Sequence, residues 1–122
     1  MNPNLGRQWD AKGYSDIADS DEINANRSRV LGALQEYHHD WEREPVRRLD
    51  PNSVKLTQTA VWKDSYDRVS SAKPEDLPPA EVVRFKNGDH VLRDGHHRWA
   101  VAHDRGELLS AHVYRAKGAW SS

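Results

Sequence analysis

There is no cysteine anywhere in this chain, and that one absence removes disulfide frameworks, cysteine-based zinc sites and thiol nucleophiles together. Nor is there a run of about 18 apolar residues, the least that a membrane-crossing helix needs. The opening "MNPNLGRQWDAKGY" holds no apolar stretch resembling a secretion signal, so the expectation is a cytoplasmic protein with no membrane partner. Charge of one sign is missing too. Eighteen Lys and Arg stand against nineteen Asp and Glu, a net charge of -1, which gives no overall field to draw in a polyanion. Nucleic acid is therefore not indicated by charge, and any polyanion has to be met by a local patch. Hydrophobic residues are scarce, at 36% against 30% charged, so 122 residues suit one domain with a single modest core.

What is present reads from the N-terminus as follows. Residues 1–20 mix Asn, Gly, Pro and Asp with lone aromatics, Trp9 and Tyr14, and show no period; they read as an arm that is ordered only if those aromatics dock. Residues 21–122 read as the domain. "DSDEINANRSRVLGALQEYHHDWE" places Ile23, Val30, Leu31, Leu34, His38 and Trp41 near one helical face, with Asp19 and Glu22 spaced as a capping box. After Pro45 come a short strand or extended segment around Val46 to Leu49, a turn at Asp50-Pro51-Asn52, a connection to Thr57, and a short helix from Lys63 to Ser70. Pro78 and Pro79 lead into the strand "AEVVRF", Asn87-Gly88 suggests a two-residue type I′ hairpin, and "HVLR" is the returning strand. Asp94-Gly95 breaks that strand, a helix runs from His97 to Arg105 with Gly106 as its cap, and "LLSAHVYRA" alternates as a closing strand. The sum is an α+β domain.

The chemistry concentrates in "DGHHR". A glycine between strand and helix admits close approach to the backbone, and the residues after it expose the unpaired N–H groups and positive dipole end of a helix start. Phosphate suits such a place. Arg98 adds a planar fork of donors, and His96 and His97 add rings that an adjacent phosphate would favour in the protonated form. Asp94 has three roles open to it: holding Mg2+ through water, orienting a histidine, or acting as a base toward a hydroxyl. A metal held by His96 and His97 together is not expected, because adjacent helical residues point about 100° apart, and no HExxH pattern occurs. The His38-His39-Asp40 cluster meets the same objection. Trp41 and Trp99 read as core anchors on helices, Trp9, Trp62 and Trp120 are undetermined, and Arg47-Arg48 reads as surface charge.

"PPAEVVRFKNGDHVLRDGHHRWAVAHDRGELLSAHVYRA" resembles the ParB and sulfiredoxin superfamily, and "DGHHRWAVA" is similar to its small members described as ParB-like nuclease domains. "SVKLTQ" resembles the segment before that family's first helix, so the likeness spans about residues 46–116. The resemblance implies a small mixed sheet with flanking helices, here with an added N-terminal helix and arm, and it implies nucleotide binding. By that likeness Gly95, His96, His97 and Arg98 form a phosphate loop, Lys63 and Ser65 lie toward the base or ribose, and ATP or CTP enters with Mg2+. Asp94, His96 and His97 would then be the catalytic residues of a nucleotide hydrolase or phosphotransferase. His96 stands where sulfiredoxins carry their cysteine, which excludes sulfinic acid reduction, and no helix-turn-helix follows, so specific centromere binding is not expected. Two other readings remain open: a ParB-like DNA nuclease, and a non-catalytic module of a phage or mobile element that takes a protein partner through its N-terminal region.

Overall fold

The computed structural model describes residues 6–36 and 41–116 of the chain. They form an α+β fold. In chain order the elements are β1 (Tyr14–Asp16), α1 (Ser20–Glu36), β2 (Trp41–Arg43), β3 (Arg47–Leu49), β4 (Val54–Lys55), β5 (Ala60–Trp62), α2 (Lys63–Ser71), β6 (Ala80–Arg84), β7 (His90–Asp94), α3 (His96–Arg105) and β8 (Leu109–Ala116). The main sheet runs β2-β8-β6-β7-β4, with β3 also on β8, while β1 and β5 make a separate antiparallel pair. It is mixed: β6 runs parallel to β8 and β4 to β7, whereas β6 and β7 are antiparallel.

Both faces of the sheet are covered, which is why adjacent residues are buried together at the middle of the sheet, Val82 with Val83 in β6 and Val91 with Leu92 in β7. Val83 and Val91, paired in register, pack with Val30 of α1. Their neighbours Val82 and Leu92, also paired, point the other way, into a larger cluster with Tyr66 of α2 and Trp99 and Ala100 of α3. Trp99 also donates its indole N–H to the Pro51 carbonyl at 2.8 Å, so α3 is tied to the turn before β4. These bonds and clusters hold the opening of α3 in place against three different segments.

Several expectations are met and several are corrected. From Gly6 on, the arm is placed by its docked aromatics: Trp9 packs edge-on against Tyr66 at 5.2 Å and Tyr14 against Trp62 at 4.9 Å. Arg7 fixes it further, donating twice to Asp104 of α3 at 2.6 and 3.0 Å, and the Tyr66 hydroxyl donates to the same carboxylate at 2.7 Å. Asp19 does cap α1, but its carboxylate accepts the N–H of Asp21, at 2.8 Å. Trp41 is not helical. It opens β2, paired with β8, and packs beside Val30 and Val83, since an aromatic is well accommodated on a pleated surface with a strand edge to complete. Leu31 is 57% exposed rather than inward, because Asn26 takes an inner position and donates to the Leu56 carbonyl at 2.8 Å.

The hairpin differs as well. Phe85 accepts the Gly88 N–H and donates its own N–H to the Asp89 carbonyl, both at 2.8 Å, so Lys86 and Asn87 are the central turn residues and Gly88 follows with φ 95°. That is a three-residue loop ending in a left-handed glycine, not a two-residue type I′ turn. The His38-His39-Asp40 cluster and Trp120 lie outside the described residues. Among the described residues no helix is long and apolar enough to cross a membrane.

Candidate functional site

The site is built where β7 gives way to α3. Gly95 is the helix cap, with φ 106° and ψ 30°, a left-handed conformation that L side chains rarely adopt. A Cβ there would also stand 2.8 Å from Ala80 Cβ on β6. Glycine is thus required twice over, by backbone angle and by space. No side chain caps this helix and its first turn has no acidic residue. The first helical bond runs from the Trp99 N–H to the Gly95 carbonyl at 2.9 Å, so the N–H groups of His96, His97 and Arg98 have no partner within the helix.

The side chains of that turn each grip a different stretch of backbone. His96, only 2% exposed, accepts the Thr57 N–H on Nε2 at 3.0 Å. His97 accepts the Trp62 N–H on Nε2 at 3.1 Å. Arg98 donates through Nη1 to the Pro78 carbonyl at 2.6 Å, and that nitrogen lies 3.6 Å from the position a Gly95 Cβ would take. The guanidinium therefore folds back over the helix opening.

An imidazole nitrogen that accepts cannot carry a proton, so both rings hold their hydrogen on Nδ1 and are neutral. Electrostatics agree. Burial, with a smaller push from His97, lowers the His96 pKa to about 4. Burial lowers that of His97 too, helped by the charges of Arg68 and Arg98. Rings expected to meet phosphate as cations instead anchor both ends of the segment from Thr57 to Trp62.

Asp94 ends β7 exposed, opposite Glu81 in register, and its charge works against the depression of the His96 pKa. Lys63 opens α2 but pairs its ammonium with Asp67 at 2.5 Å, while Ser65 is half-buried on the same helix. Helix α2 also starts without a side-chain cap, directly beside α3 through the Trp62 to His97 bond. Arg68 is the residue that sequence reasoning missed. Exposed on α2, it joins Arg98 in acting on His97, and its only signal in the sequence was a position five residues after Lys63 on a short helix.

No family model matches this chain, and no curated protein does. Among the described residues no group of three or more His, Asp or Glu could hold a metal ion. What the turn offers chemically is a set of backbone donors flanked by two guanidinia and one free carboxylate.

Proposed function

We propose that this is a nucleotide-binding domain of the ParB and sulfiredoxin type, with the phosphates received at the opening of α3. The observation that carries the reading is Gly95: a left-handed cap pressed against Ala80 leaves the N–H groups of the first turn bare, with the Arg98 guanidinium folded over them. Such a start favours an anion through both its donors and its dipole. Arg98 and Arg68 supply fixed charge, and the neutral rings of His96 and His97 position the wall from Thr57 to Trp62. Asp94, exposed and unpaired among the described residues, is the carboxylate that Mg2+ arriving with ATP or CTP would meet, the ion supplying charge neutralisation at the phosphates.

The arrangement favours binding over turnover. Proton transfer at the phosphate would fall to Asp94, because Nε2 of each histidine is already committed to a backbone N–H. The test is thermal melting of the full chain with ATP or CTP and Mg2+. A raised melting temperature that Arg98→Ala abolishes and Arg98→Lys partly keeps is expected. The absence of a shift with any common nucleotide would set the reading aside.

A further inference from the structure

The segment from Thr57 to Trp62, which His96 and His97 hold from the α3 side, borders a second constellation on its α1 side. Between α1 and the segment after β4 lies a cleft of about 630 Å³, lined by Asn24 and Arg27 on one wall, Thr57 and Gln58 on the other, and Arg93 of β7. A second hollow of about 240 Å³ continues from it, sharing Arg27, Thr57 and Arg93 and floored by Val30, Leu31 and Leu34. Among the described residues, Arg27 and Arg93 are the only charged ones lining either hollow. Neither forms a hydrogen bond or ion pair with another described residue, and both are exposed.

The neighbouring cations do not share that freedom. Arg29 is bound to Asp89 at 2.6 Å and lies over the Phe85 ring, and Lys55 approaches the same Asp89 at 3.5 Å. A nucleic-acid strand, whose affinity rests on many phosphate contacts, would find two free charges here and a carboxylate close by. A peptide needs no more than two, since each guanidinium can hold a carboxylate with paired hydrogen bonds. The adjoining shelf then accounts for Leu31, a large apolar side chain left 57% exposed in a chain short of apolar residues.

We propose that the groove running from Arg93 past Arg27 to Leu31 and Leu34 docks an acidic peptide segment of a partner protein. One or two carboxylates would sit between the guanidinia, and a branched apolar residue beside them would cover the shelf. Recognition of acidic motifs by clustered arginines is a general mode of peptide binding.

The test is selection of a phage-displayed random dodecapeptide library on the full chain, with counter-selection on the Arg27→Glu/Arg93→Glu double variant. Both positions are exposed and unpaired, so the double variant should melt together with the wild type, and melting is measured first. Enriched sequences are expected to place Asp or Glu beside Leu, Ile or Phe. The best of them should bind the wild type about tenfold or more tightly than the double variant, as hot-spot charges do, and should weaken as much when its acids become amides. Four results would overturn the proposal. These are no enrichment over the counter-selection, enriched sequences without acids, tighter binding of a dodecathymidylate than of the peptide, and a wild-type dimer in light scattering that the double variant dissolves.

Discussion

Gly95 is where one added methyl group should be felt most. Its φ of 106° and the 2.8 Å approach to Ala80 both oppose a side chain, so Gly95→Ala should destabilise the fold. The expected loss is about 1–3 kcal/mol for the backbone angle alone, read as a lower urea midpoint. An unchanged midpoint would mean that the left-handed cap is not held. His96 makes a second prediction at this scale. Its folded pKa of about 4 lies below the ordinary 6.5, so the unfolded chain binds the proton first as pH falls. Stability present above pH 6.5 should be lost on the way down to about pH 4, by up to about 3 kcal/mol. His96→Gln, which keeps an acceptor for Thr57 without titrating, should flatten that part of the urea midpoint against pH. Equal slopes in the two proteins would remove His96 from the account. At the residue scale the glycine was legible because turn chemistry is local. The protonation of His96 and His97 was not, because it depends on Thr57 and Trp62, which fold back from more than thirty positions earlier.

Among the elements, α2, β6, β7, α3 and β8 were legible nearly to the residue, because prolines, glycines and alternation mark their ends. The strands β1, β4 and β5 were not legible, being two or three residues long and defined by partners elsewhere in the chain. Trp41 shows the same limit. Its spacing fits a continued helix, yet the unsatisfied edge of β8 claims it. The docking of the arm onto α3 gives the prediction at this scale. Arg7 and Asp104 are 10% and 8% exposed at the side chain, and burial together with Asp104 also raises the Tyr66 pKa. Asp104→Ala would strand a guanidinium and a phenol at once. A cost of about 3–5 kcal/mol is expected, as for breaking a buried pair, with residues 6–16 becoming sensitive to protease. A loss below 1 kcal/mol, the range of an exposed pair, would show that the arm is held by its aromatics alone.

For the whole molecule, the fold class and the joining of β7 to α3 were legible, while the covering of the second face by α1 and the groove it forms were not. Amphipathicity says that a helix packs, not where. The position of β8 has its own consequence for how the protein comes into being. It is the last strand among the described residues, yet it lies inside the sheet, bonded to β6 on one side and to β2 and β3 on the other. During synthesis, everything up to Gly106 must therefore wait beside a gap with its apolar strands uncovered. A chain stopped at Gly106 should stay collapsed but unfolded by amide exchange.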